Sequence, residues 1–438
     1  MTRFRARGLN PDSLLLLSLI AVAALLRFSG RHWVAGDFSV FIQPWSRYIA
    51  AHGYFAALSD NFADYNVPYL YLLTLLTWLH THTSISLLYL VKGLSMVFDV
   101  VLAYYAARIV GLRWADRRIA ALGGLVVLLL PTVVINSSYW AQCDSIYTAF
   151  TVAGLYYLLR DRLWLSMLFF GLAIAFKLQA IFVFPLLLVL LLAGRIKLRH
   201  LTVIPAVYLT LAIPAWLAGR PLRDLVLIYA DQSAEYQALS KHAPTLFAFI
   251  KPAAGVLPYF RSAGVLFTAA AVLVLAYVVV LRRIPLDRLR IVLLATTYSI
   301  LVPFLLPGMH ERYFMQAEVL TVIAALYLPR KLWPVPLLVQ VASLMCYVPY
   351  FLDPKHPKNP MPEPVNYQLL AVLMLAALLI TGANLLRPDQ PAPPRTEPAV
   401  PPRPEPAAPP RTEPAARPVP EQRSPETTVA VLQPPVVI

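Results

Sequence analysis

The residues able to do chemistry fall in short groups at the edges of apolar runs. The first group is Gly36-Asp37, just past the first such run. Phe38, Phe41, Ile42, Trp45, Tyr48 and Ile49 follow at helical spacing. An aspartate at this point suits a helix N-cap. A carboxylate held there partly out of water would also serve as a general base towards an alcohol, and a capping carboxylate can face a cavity. Asp64-Tyr65 comes next, ahead of Asn66-Val67-Pro68. Proline holds the residue before it extended, so Asp64 reads either as a turn cap or as a second carboxylate towards a substrate. Asn136, Tyr139, Trp140, Gln142 and Asp144 form a polar-aromatic cluster, read as an interfacial anchor with a cap or as part of a site. Lys177 and Gln179 sit in GLAIAFKLQAIFVFP. A lysine there must snorkel or find an anion. His310-Glu311-Arg312 follows Pro307-Gly308, and reads as a solvated loop or as a cationic phosphate site. Asp99 lies inside an apolar run. Lys92 is on the same face but about 10 Å away by helical rise, so Asp99 reads as a buried structural group.

Other chemistries lack their residues. No Walker loop, GxGxxG or Cys/His cluster is present, and His310-Glu311 is not HExxH. The two cysteines, Cys143 and Cys346, make no disulfide framework and have no ligand-spaced partner. Neither metal nor cofactor is expected.

Of the 438 residues, 59% are hydrophobic and 13% charged, against roughly 25% charged in soluble proteins. So much apolar surface calls for a bilayer. The net charge of +15 comes largely from arginines in short loops between apolar runs. That is the pattern of membrane orientation rather than of nucleic-acid binding.

The expected fold is all-α: a polytopic transmembrane helical bundle of about twelve spans, each near 20 residues. The candidate runs are 11–28, 84–110, 117–136, 142–160, 163–179, 180–195, 199–218, 262–281, 289–306, 313–328, 332–351 and 367–386. The segment 67–82 is short for a span. If it crossed, GLRWADRR would fall outside, and every later basic loop would flip. Kept outside, it leaves TRFRAR, GLRWADRR, Arg160 with Arg162, RIKLRH, LRRIPLDRLR and Arg330-Lys331 all cytoplasmic. The large first outer loop, 29–83, then carries two interfacial amphipathic helices, about 38–51 and 67–82. Further outer segments are 136–144, the region after Phe176, 219–261, 307–312 and 352–366. No cleavage signal is evident after TRFRAR, so a retained first span and a cytoplasmic N-terminus are expected. Residues 1–387 form the membrane domain. Residues 388–438, dense in proline with APPRTEPA twice, read as a disordered cytoplasmic tail.

In order and placement these motifs resemble the GT-C superfamily of polyprenyl-phosphate-sugar-dependent glycosyltransferases. The likeness is to the endoplasmic-reticulum dolichyl-phosphate-glucose glucosyltransferases and to PIG-V-like mannosyltransferases. Gly36-Asp37 matches the GD start of the first outer loop. ADYNVPYL resembles the family's DYPP stretch, with Asp64, Tyr65 and Pro68 at altered spacing. YWAQCDSIY loosely matches QxNS, Gln142 and Ser145 agreeing and Asp144 replacing Asn. Lys177-Leu178-Gln179 is the KQ motif with one residue inserted. His310-Glu311-Arg312 is the HE[KR] motif, and Asp99 the membrane-embedded aspartate.

The resemblance implies an inverting hexosyltransferase in the plasma (inner) membrane, acting on its outer face. Its partners would be a polyprenyl-phosphate-linked sugar donor, a glycan or lipid acceptor, and membrane lipid, without nucleic acid. Asp37 would deprotonate the acceptor hydroxyl, with His310, Arg312 and Lys177 stabilising the leaving phosphate. Asp64 would orient the acceptor. Tyr65, Gln142, Asp144, Gln179 and Glu311 complete the expected binding set. The alternative is a lipid-linked-sugar flippase or secondary transporter. Such proteins often carry inverted repeats and Gly/Pro-broken spans, and neither is evident. A lipid-linked-oligosaccharide ligase would normally place its largest outer loop late. A bare membrane anchor for the tail leaves the polar clusters unexplained.

Overall fold

The computed structural model describes residues 11–235, 238–352 and 365–388. TRFRAR, residues 353–364 of the expected outer segment 352–366, and all of the expected tail except Pro388 lie outside the described residues. Each expected apolar run is helical over most of its length, with an extended break at Lys177 inside 163–179. Helix α1 spans Pro11–Ser29. A π-turn at Phe38–Ile42 leads into α2 (Gln43–Ala51), and α3 (Val67–His82) follows. Next come α4 (Leu87–Val110), α5 (Arg117–Leu129) and α6 (Pro131–Val134). The chain bends by 54° between α5 and the segment that starts at Pro131, because proline cannot continue a helix without a break. After α7 (Asp144–Leu158), the run 163–195 divides as α8 (Leu163–Phe176), a 3-10 turn (Leu178–Val183) and α9 (Pro185–Leu192). Then come α10 (Leu198–Leu201), α11 (Val203–Leu217), α12 (Leu222–Glu235) and α13 (Leu257–Leu281). The last are α14 (Arg288–Leu305), α15 (Met315–Tyr327), α16 (Pro329–Leu332), α17 (Pro334–Leu352) and α18 (Tyr367–Leu386).

Among the described residues, seven helices are long and apolar enough to cross a membrane, or eight if the bent pair is one span. Leu163–Phe176, Leu178–Leu192 and Met315–Tyr327 are apolar but shorter. Several helices turn apolar side chains outwards, including Leu14, Leu25 and Phe28 on α1 and Leu266, Val274 and Tyr277 on α13. Soluble monomers rarely expose such contiguous apolar surface. With every helical backbone bond closed internally, this is the pattern of a multi-pass membrane protein.

The polar connections sort to two ends of the bundle. At one end, Arg118 pairs with Asp12, and Arg288 donates to the Leu112 carbonyl. Trp114 Nε1 donates to the Leu326 carbonyl, and Arg195 reaches Asp161 and the Leu286 carbonyl. The arginine-bearing connections thus touch one another. At the other end, Lys92 near the start of α4 donates to the carbonyls of Gly30 and Trp33, just past α1. Helix α3 begins and ends on this second side. Asn66 at its start donates to the Ala175 carbonyl, while Tyr54 and Thr81 share a 2.8 Å hydrogen bond at its close. The next helix then starts beside His32, which bonds the Tyr89 hydroxyl at 2.7 Å.

Asp99 is fully buried, and its partner is Arg27 rather than Lys92. Arg27 Nη2 and Nε donate to Asp99 Oδ2 at 2.9 and 3.2 Å, and Ser137 donates to the same oxygen at 2.6 Å. Ser145 donates to Oδ1. The network ties α1, α4, the turn after α6, and α7 together. Close approach supports it: a Cβ at Gly30, just past α1, would sit 2.7 Å from the Ser138 carbonyl oxygen in the turn after α6.

Candidate active site

Asp37 is positioned by the π-turn that follows it. It already has helical dihedrals, and its side chain makes no capping bond to that turn. Gln142 Nε2 donates to Asp37 Oδ2 at 2.6 Å instead. The cap of α3 is Asn66, whose Oδ1 accepts from the Val67 amide at 2.9 Å. Asp64 is therefore not that cap. Its carbonyl accepts from the Gln232 side chain, and Asp64 lines the central cavity.

Gln142 and Asp144 come from a reversal in the chain. The π-turn Ile135–Tyr139 ends α6, and Ala141 takes φ +59°, a left-handed conformation that swings the chain into α7. Asn136 Nδ2 then donates to Asp144 Oδ2 at 2.8 Å. Tyr65 donates to Gln142 Oε1 at 3.2 Å, so Gln142 bridges Tyr65 and Asp37.

Lys177 occupies the break between α8 and the 3-10 turn, in extended conformation. A helix end orphans its last carbonyls. Those of Ile174 and Ala175 are met by the Tyr229 hydroxyl and by Asn66. Lys177 Nζ pairs with Asp144 Oδ1, and lies 5.2 Å from the centre of the Tyr65 ring.

The His310-Glu311-Arg312 loop is fixed by a two-residue parallel pairing of Ser240–Lys241 with Met309–His310. Gly308, at φ +81°, makes the turn, and its amide donates to the Leu239 carbonyl at 2.8 Å. Arg312 is the hub. Its Nη1 donates to Glu311 Oε1 at 2.8 Å and stands 3.5 Å from Asp37 Oδ2, while Nε stands 3.7 Å from Asp144 Oδ2. Glu311 is fully buried, and burial pushes its carboxyl above the usual range against the pull of Arg312. Burial, then Arg312, hold His310 well below the usual histidine range. It is a neutral imidazole at pH 7.

Asp37, Asp64, Tyr65, Gln142, Lys177, Gln179, His310 and Arg312 all line one cavity of about 630 Å³. Asp144 and Glu311 stand behind it as carboxylate partners of its cations. Phe176, Ile181, Phe182, Val265 and Leu306 form an apolar part of the lining. Such a site suits an amphiphile with an anionic head and a greasy stem. Among the described residues, no three His, Cys, Asp or Glu side chains converge as metal ligands. Sequence reasoning missed Arg27, Tyr229, Gln232 and Arg261. The first pairs with Asp99, and the others line the cavity. Only Arg27 carried a signal, as a charge ending an apolar run.

No family model matches the chain, and no curated protein matches it. Among solved structures it is similar to the crystal structure of ArnT from Cupriavidus metallidurans bound to undecaprenyl phosphate. The identity is 15%, over 86% of this chain and 77% of that one, with a TM-score of 0.49. A likeness of that size assigns no family.

Proposed function

We propose that the chain is an inverting, GT-C-type membrane glycosyltransferase that moves a hexose from a polyprenyl-phosphate-sugar to an acceptor hydroxyl. The observation that carries this reading is the meeting of Asp37 with two cations, Lys177 and Arg312, in a cavity that also has an apolar stretch of Phe176, Ile181, Phe182, Val265 and Leu306. Asp37 takes the proton of the acceptor hydroxyl. The oxygen attacks the anomeric carbon, and the carbon–oxygen bond to the phosphate breaks on the opposite face. Polyprenyl phosphate leaves with the electron pair, so the configuration inverts. Lys177, paired with Asp144, and Arg312, beside Asp37, are the cations that face the departing phosphate. Neutral His310 contributes a hydrogen bond rather than a charge. The glucosyl and mannosyl branches that the motifs resemble are the donor classes to try first.

The gathering of arginine-bearing loops at the far end of the bundle supports a cytoplasmic placement for them by the positive-inside bias. The site then faces outwards in a bundle of about twelve spans, with α3 lying beside the membrane. Purified protein in liposomes should transfer labelled sugar from polyprenyl-phosphate-glucose or -mannose. A deletion strain should accumulate the unused donor. Absence of both results rules the reading out. Cysteines placed at Arg113 and Phe55 test orientation, because only the second should react with an impermeant reagent from outside.

A further inference from the structure

The cavity wall beside Asp37 is aromatic. The π-turn Phe38–Ile42 carries an extra residue, and Asp37, Phe41 and Trp45 all line the same cavity. Such π-turns are rare and frequent at functional sites. The Phe41 and Trp45 rings lie 5.8 Å apart, and Trp45 and Tyr65 lie 5.2 Å apart. Trp45 is buried, so its ring is held in place by these neighbours. On the wall made by the break after α8, Gln179 Oε1 is buried with no hydrogen-bond partner among the described residues. Gln179 also lines the cavity. A buried acceptor left unmet is costly, and a donor can reach it from the cavity.

We propose that Trp45, backed by Phe41 and Tyr65, is the platform on which the transferred sugar stacks, and that Gln179 accepts a hydrogen bond from one of its hydroxyls. This rests on the donor reading above and narrows it to a neutral pyranose with an apolar C–H face. Ring hydrogens pack on the electron-rich face of the indole. The hydroxyls at the ring's edge meet Gln179 and its polar neighbours. A sugar acid stacked there would bring its carboxylate to the wall that carries Asp37.

The test compares binding of undecaprenyl phosphate without sugar, undecaprenyl-phosphate-glucose, undecaprenyl-phosphate-mannose and the glucuronic-acid analogue. The proteins are the wild type, Trp45→Ala, Trp45→Phe and Gln179→Leu. The wild type should prefer a neutral sugar-loaded lipid over the bare lipid by about tenfold or more. Trp45→Ala and Gln179→Leu should each erase most of that preference and leave affinity for the bare lipid within about twofold. Trp45→Phe should keep most of it. Equal weakening towards all lipids, or an unchanged preference, overturns the platform. So does a wild type that binds the glucuronic-acid analogue as tightly as the neutral ones. A wild type that binds none of the lipids overturns the donor reading beneath.

Discussion

Arg312 offers the sharpest perturbation, because one side chain serves three carboxylates. Its guanidinium bonds Glu311 at 2.8 Å and stands within 3.5 Å of Asp37 and 3.7 Å of Asp144. In Arg312→Lys the charge stays, but a single ammonium cannot span the three contacts. Losing one charge-assisted hydrogen bond costs about 1.5–3 kcal/mol. At about 1.4 kcal/mol per factor of ten, kcat/KM should fall by roughly one to two orders of magnitude. Arg312→Gln is harsher, since the guanidinium shared by Glu311, Asp37 and Asp144 is then gone. Breaking a buried ion pair from one side costs about 3–5 kcal/mol of stability, so this variant should also unfold earlier. The assay is the initial rate of sugar transfer in liposomes at several donor concentrations, with thermal unfolding in detergent. An Arg312→Lys enzyme within about threefold of wild type in kcat/KM would refute the hub assignment.

Two further outcomes follow from the buried charges. Asp99→Leu strands Arg27 and should cost about 3–5 kcal/mol. Arg27→Met with Asp99→Leu should recover most of that, and a double variant no better than the single one would contradict the pairing. His310, held neutral by burial, gives a pH dependence of known sign. Below pH about 6.5 the unfolded chain takes up a proton that the folded chain refuses, so stability falls as pH drops. Glu311, pushed upwards by burial, works in the opposite sense. The readout is therefore the difference between wild type and His310→Gln in unfolding midpoint from about pH 5 to 7. An identical slope in both proteins would show that His310 is not the source.

Much of the cavity's polar lining was legible because each polar group ends an apolar run on the same side of a helical bundle. Asp37, Gln142, Lys177, His310 and Arg312 are far apart in sequence, yet alternation of the connections sends them to one end. What the sequence did not reveal depends on packing between distant helices. Arg27 reads as a flanking charge until α1 lies against α4 and brings it to Asp99. The cap that one reading assigns to Asp64 is made by Asn66, whose Oδ1 accepts from the Val67 amide. Asp37 does not cap at all, because the helix has already begun when the chain reaches it. The break at Lys177 falls inside the expected run 163–179, because Lys177 takes an extended conformation where hydropathy alone reads the helix as running on. Trp45 and Tyr65 fit an amphipathic face equally well whether they meet lipid or a ligand. The structure sets both rings on the central cavity.

The general-base assignment is tested most directly by Asp37→Asn. The amide keeps the size of the side chain but cannot take the acceptor's proton. General bases contribute about 10²–10⁴ in rate. Transfer from polyprenyl-phosphate-sugar should therefore fall by at least about a hundredfold, with donor binding and unfolding temperature unchanged. Transfer at the wild-type rate by Asp37→Asn would contradict the account.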